Sequence, residues 1–252
     1  MPHSSPQAMP STSWKILTLI PDITAPVSHA RVPRKAPILG TLRGVSEWVE
    51  TWLVVDTGTH YHPQAHLGRA GSWQATSTLG RSGDFDANRE FVIHILAVTQ
   101  DVSNAFEQYL KDAGKQGKWP GVPKPPDGRV LSTLRVVRDD SASPFGFMEG
   151  VYDEWSKGVA TGGMISMKLN PPDHFATEAT NRTGKTEWTG SIKMDISSNP
   201  TQGKGTYSYS AKADSGEHRL MVDAATGDLR IEGKNTSQPG GKSFQTVWKR
   251  RT

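Results

Sequence analysis

Cysteine is absent from the 252-residue chain, which excludes a disulfide framework, thiolate-held zinc or iron–sulfur centres and a cysteine nucleophile. Any metal would need His and carboxylate ligands. Long apolar runs are missing too. Ile16 to Ile20, the apolar run nearest the start, is far short of the roughly 20 residues that cross a bilayer. Met1 to Ser13 is rich in Pro and Ser and lacks the basic-then-apolar order of a signal peptide. The reading that follows is a cytoplasmic chain with no membrane span, with residues 1–12 a disordered N-terminus. Charge of one sign is lacking as well: from Pro144 onward there are 14 Lys+Arg and 12 Asp+Glu, and 15 and 13 before it, so the net +4 divides as +2 and +2. Neither half is a basic domain, and no nucleic-acid partner is expected. Lys249-Arg250-Arg251, the one dense basic cluster, reads as a solvated tail. Phosphate loop, dinucleotide fingerprint, nucleophile elbow and HExxH are all missing; Gln202 to Gly205 reads as a hairpin turn.

What is present is strand periodicity: short runs of Val, Ile, Thr, Tyr and Trp between Gly, Pro, Asn and Asp. Seven runs fall in the first part: Ser13–Ile20, Ala36–Arg43, Glu50–Asp56, Thr59–Pro63, Ser72–Leu79, Phe91–Thr99 and Ser132–Arg138. They fit a small antiparallel sandwich. One helix interrupts them, with Ser103 as N-cap, Ala105, Phe106, Tyr109 and Leu110 as its apolar stripe, and Gly114 as its stop. Asp139 to Pro144 is short and polar, and the domain boundary is placed there: 13–138 before it, 145–252 after it.

The second part predicts eight strands joined by short turns, a meander in which no connection is long enough for a Greek-key crossover. Closure into a barrel removes its free edges. Alternation assigns the faces. Trp188, Ile192 and Met194 point one way with Gly190, and Lys193 the other; Leu229 and Ile231 oppose Arg230; His218, Leu220 and Val222 oppose Arg219. The expected fold is all-β: an immunoglobulin-like β-sandwich with one helix, then an eight-stranded up-and-down β-barrel.

The order Gly150-Val151-Tyr152-Asp153-Glu154-Trp155, Trp188-Thr189-Gly190 and a last strand ending Trp248-Lys249-Arg250 resembles a small lipocalin-like barrel. Trp52-Leu53-Val54-Val55, Tyr61-His62-Pro63-Gln64 and Ser72-Trp73 resemble an immunoglobulin-like accessory domain of bacterial proteins. The barrel resemblance extends to the cyclic-nucleotide sensors of some bacterial anti-phage systems, and it implies a sensor role in antiviral defence. Those sensors are tied to transmembrane helices, which this sequence does not show.

Two places could carry chemistry. The barrel would gather Tyr152, Trp155, Trp188, Tyr207, Tyr209, His218 and Trp248 as a ligand-binding set. Because the inward face is the apolar one, a small-molecule ligand should be largely apolar or aromatic, with a nucleotide left to the barrel mouth. The same rings could instead fill a core. In the first domain His60 and His62 share a strand face, with His66 as a third metal ligand. Val54-Val55-Asp56-Thr57-Gly58 matches the string around a retropepsin-like catalytic aspartate, and equally a strand ending in a turn. The leading expectation is a non-enzymatic ligand-binding or sensor protein whose first domain makes protein contacts, with no cofactor. The alternatives are a metal- or aspartate-dependent hydrolase using Asp56, His60 and His62, and a purely structural interaction module.

Overall fold

The computed structural model describes residues 20–44, 49–68, 71–170, 173–194, 202–209, 215–237 and 240–251. Residues 1–12 and all of the expected Ser13–Ile20 strand except Ile20 lie outside them. The first part comprises strands β1 (Ile20–Ala25), β2 (Ala30–Val32), β3 (Lys35–Arg43), β4 (Glu50–Asp56), β5 (His60–Gly68), β6 (Gly71–Thr78) and β7 (Glu90–Val98). Helix α1 (Gln100–Gln116) and strands β8 (Val122–Pro123) and β9 (Arg129–Arg138) complete it. They form a three-stranded sheet, β1-β3-β6, and a six-stranded one, β2-β9-β7-β4-β5-β8. Ile38 and Leu42 of β3 and Trp73 and Ala75 of β6 share one core with Leu53, Val55, Ile93, Ile95, Leu134 and Val136. The chain crosses between these two sheets after β1, β2, β3, β5 and β6. Strand β1, which shares only Ile20 with the expected Ser13–Ile20 run, and the short β2 and β8 add to the predicted set, and β2 pairs with β9 in parallel, so the sandwich is not wholly antiparallel. Segments of two or three residues are too short to show a period.

Strand β4 is buried on both faces because α1 covers the outer one: Trp52, Val54, Leu96 and Val98 pack with Phe106. The helix starts and stops three or four residues outside its predicted limits. Thr99 is the N-cap, its side chain accepting from Val102 N, and Gly117, at φ 65°, is the left-handed C-cap that only glycine adopts without strain. Ser103 lies inside the helix, 1% exposed, where its Oγ accepts a hydrogen bond from Trp52 Nε1 at 2.9 Å. Ser103→Ala would leave that indole N–H buried without an acceptor. The expected cost is about 2 kcal/mol, a fall in melting midpoint of roughly 4–8 °C. An unchanged midpoint would show that the bond contributes nothing.

The chain between the two sets of sheets is tied at both ends. The buried Arg138 guanidinium donates to Asp140 and to the carbonyls of Leu79, Arg81 and Gly83. Phe145 and Met148 are fully buried in the barrel core. The barrel strands are β10 (Gly150–Ser156), β11 (Val159–Asn170), β12 (His174–Thr180), β13 (Thr186–Met194), β14 (Gln202–Tyr209), β15 (Ser215–Val222), β16 (Leu229–Asn235) and β17 (Ser243–Arg250). Each pairs antiparallel with the next, and β10 with β17, closing the sheet as the short turns implied. The predicted turn at Gln202 to Gly205 is the start of β14. Gly203 and Gly205 are read as punctuation in sequence, yet they sit on the inner face, where a Cβ would press on Met194, Ile192 and His218.

The basic C-terminal cluster is not a free tail. Arg250 donates to the carbonyls of Phe147 and Glu149, and Arg251 Nε reaches Asp153 Oδ1 at 2.8 Å, so these residues lock the entry segment against the last strand.

Candidate functional site

Inside the barrel the predicted faces hold: Trp188, Ile192 and Met194 are buried, and so are Leu220, Leu229 and Ile231, while Lys193, Arg219 and Arg230 are exposed. Four of the proposed ring residues meet, one from each of four strands. Trp188 lies 6.2 Å from Tyr207, 6.5 Å from His218 and 6.0 Å from Trp248 by ring centroid. Tyr207 stacks on His218 at 5.9 Å, and His218 meets Trp248 edge-on at 6.5 Å. Phe244, 38% exposed, lies edge-on to Tyr207 at 5.5 Å. Two of the rings press on inward glycines: a Cβ on Gly233 would strike the Phe244 ring and one on Gly216 the Tyr207 ring.

The polar atoms of this cluster are unusual. His218 is 4% exposed and Trp248 1%, and neither His218 Nε2 nor Trp248 Nε1 has a hydrogen-bond partner among the described residues; Thr177 Oγ1, across from Gly190 on the same inner surface, also lacks one. Burial pushes the His218 imidazole down to about 4, so it is neutral at pH 7. The Ser191 carbonyl offsets part of that push but leaves Nε2 without a well-formed bond. Buried polar groups are nearly always satisfied, so several orphans on one inner surface need a cause.

The other proposed barrel residues divide. Tyr152 is buried beside the segment that enters the barrel: its hydroxyl donates to the Met148 carbonyl at 2.6 Å, Arg250 stands 5.9 Å from its ring, and burial pushes its phenol up to about 12. Trp155 does not face inward. It pairs with Val247, and Lys249 Nζ sits 4.1 Å over its ring on the outer surface. The inward position at that level belongs to Glu154, the partner of buried Trp248. Tyr209 pairs with Trp188 through its backbone, and its side chain is outside the described parts. Glu154 was missed by looking for rings alone, although its i, i+2 relation to Tyr152 marks it as inward. Burial raises its pKa, with the Thr161 hydroxyl, 2.9 Å away, opposing.

Two surface recesses border these residues. A groove of about 910 Å³ lies along β14 to β17, lined by Lys204, Glu217, Arg219 and Lys234 together with His218 and Phe244 of the ring cluster. Its charged side chains are exposed and of mixed sign, while His218 is buried, so the groove reaches the edge of the ring cluster. A smaller recess of about 300 Å³ includes Glu154, Thr161, Arg182 and Glu187 beside the turn between β12 and β13.

In the sandwich the imidazoles part company. His60 and His62 do share a face, both against Gly121, and burial together with His60 lowers the His62 pKa. His66 does not join them: its Nε2 lies 2.7 Å from Glu50 Oε2 and its ring 5.3 Å from Trp52. Register shifts on either side of Trp52 and Leu53 separate it from the strand alternation that the sequence suggested. Among the described residues no group of three or more His, Asp or Glu is placed to hold a metal ion. Asp56 ends β4 as a strand-to-turn residue, its Oδ1 accepting from Gly58 N at 2.7 Å, and its side-chain partners are Lys124 and His94 rather than His60 or His62. No described helix is long and apolar enough to cross a membrane. Compared with known proteins, the chain matches no family model, no curated protein and no solved structure, so the resemblances read in its sequence reach a closed eight-stranded antiparallel barrel and no finer family.

Proposed function

We propose that the barrel is a binding module for a small, largely apolar or aromatic molecule, held among Trp188, Tyr207, His218 and Trp248. The observation that carries this reading is the pair of unsatisfied polar atoms, His218 Nε2 and Trp248 Nε1, inside that ring cluster. A flat ligand with one acceptor atom would take the indole N–H, and a hydroxyl or ring N–H on it would answer the neutral imidazole. Phe244, half out of the barrel and resting on Gly233, is the side chain that would swing aside to admit it. In this reading the barrel senses the ligand and the sandwich makes protein contacts.

A purely structural module is the competing reading, favoured by the inward glycines that let the rings fill the interior. Native mass spectrometry of the freshly purified chain separates the two. A mass excess of a few hundred daltons, lost on denaturation and absent from a Trp188→Ala, Tyr207→Ala double variant that still folds, is the expected result. Identical native and denatured masses, together with tryptophan emission unmoved by a panel of neutral bicyclic aromatics, would leave the interior as packing alone.

A further inference from the structure

A second constellation lies on the outer face of the six-stranded sheet, beside the cluster that α1 covers. Three adjacent strands contribute to it. His94 of β7 is the cross-strand partner of Thr133 on β9 and of Val54 on β4, and Asp56 is two residues beyond Val54 on the same face. Asp56 Oδ2 lies 3.2 Å from His94 Nε2, and His94 Nδ1 lies 2.9 Å from Thr133 Oγ1. Carboxylate, imidazole and hydroxyl therefore stand in line.

The proton positions follow from what each atom can do. Burial opposes ionisation of Asp56, but Lys124 Nζ at 2.7 Å, the Gly58 N–H and His94 outweigh it, and its pKa is lowered. An ionised carboxylate only accepts, so His94 Nε2 carries the hydrogen and Nδ1 presents a lone pair. The Thr133 hydroxyl then donates to Nδ1, which leaves its oxygen lone pairs free. Tyr61 braces the imidazole edge-on at 6.0 Å; His94 is 9% exposed, whereas Thr133 is open to solvent. A polarised hydroxyl on the surface, with its base buried behind it and a carboxylate fixing the base's tautomer, is the arrangement of an activated nucleophile.

We propose that Thr133 is an acyl-accepting nucleophile toward small activated esters, with His94 as general base and Asp56 as the positioning residue. Thr133 Oγ1 bonds to the ester carbonyl carbon while its proton passes to His94 Nδ1. Collapse of the tetrahedral adduct breaks the bond to the leaving alkoxide, which takes that proton and departs as the alcohol. Water then repeats the sequence on the Thr133 ester, releasing the carboxylic acid and restoring the hydroxyl. A fluorophosphonate would stop at the first stage: the O–P bond forms, the P–F bond breaks, and fluoride leaves with the proton.

The test uses the full chain, a fluorophosphonate probe with peptide mapping, and p-nitrophenyl acetate turnover. One probe per chain at Thr133 is expected, absent in Thr133→Val and retained in Thr133→Ser, with labelling slowed about 100-fold or more in His94→Gln. Asp56→Asn should lower kcat with KM unchanged, because it disturbs the tautomer and not ester binding. Thr133 is exposed, so its variants should keep the native melting midpoint. No labelling, labelling only at lysines, or equal labelling of native and His94→Gln protein would overturn the assignment.

Discussion

Gly205→Ala is expected to destabilise the barrel by about 3 kcal/mol, at the upper end for overpacking a core. A Cβ there would sit 1.9 Å from the Ser191 carbonyl oxygen and 2.7 Å from His218 Nε2. The first contact is with backbone of the neighbouring strand, so no rotamer change relieves it, and β13 and β14 would have to separate. The residue has no positive φ to blame; the need for glycine is one of space. Thermal unfolding followed by tryptophan emission should show a midpoint roughly 6–12 °C lower. Gly184→Ala is a useful contrast, since nothing approaches its Cβ position and its cost would come from its φ of 78° alone. An unshifted midpoint in Gly205→Ala would mean that the inner wall is not packed as described.

The second large effect is a loss of stability in mild acid caused by His218. Its folded value of about 4 lies below the roughly 6.5 of an unfolded histidine. The unfolded chain therefore binds the proton first as pH falls. Stability is complete above about pH 6.5, declines between 6.5 and 4, and is reduced by about 3 kcal/mol once both states are protonated. His62, whose pKa is also lowered by burial and by His60, contributes in the same direction, so the measurement is a difference between proteins. Denaturant midpoints of native and His218→Leu chains should converge or favour the variant at pH 7 and diverge by pH 4, with the variant the more stable. Parallel curves would mean that the imidazole is not buried in neutral form.

These two effects bear on function together. A buried imidazole whose Nε2 lacks a well-formed hydrogen bond weakens the fold, and an apolar residue in its place removes that weakness. If His218→Leu gains acid stability and loses the ligand, the unpaired nitrogen is explained by binding. The Asp56–His94–Thr133 line is different in kind: its members are all satisfied by one another, so it shapes reactivity without the same burden on stability.

Much of the architecture was legible because β-alternation has a period of two and the barrel strands keep it. The inward set Trp188, Ile192 and Met194 and the outward Lys193 follow directly from that period, as does the pairing of neighbouring strands from short turns. The helix was legible as an element but not in its limits, since both Thr99 and Ser103 can cap a helix and only packing decided that Ser103 would answer Trp52. Trp155 failed for a local reason: an aromatic residue was assumed to face inward, whereas the alternation starting from Tyr152 gives that place to Glu154. His66 is parted from His60 and His62 by a feature invisible in sequence, the bulges in the β4–β5 pairing, and lies against Glu50.

By itself the sequence determined what depends on local order: all-β composition, strand faces, the exclusion of thiol chemistry, and a meander able to close. Only the tertiary structure decided what depends on residues distant in the chain. It placed His94 between Asp56 and Thr133, 38 and 39 residues away from it, and set His218 beside Trp248 with His218 Nε2 and Trp248 Nε1 unpartnered among the described residues. The physical reason is that a strand's period says which way a side chain points, while sheet register and strand order say what it meets.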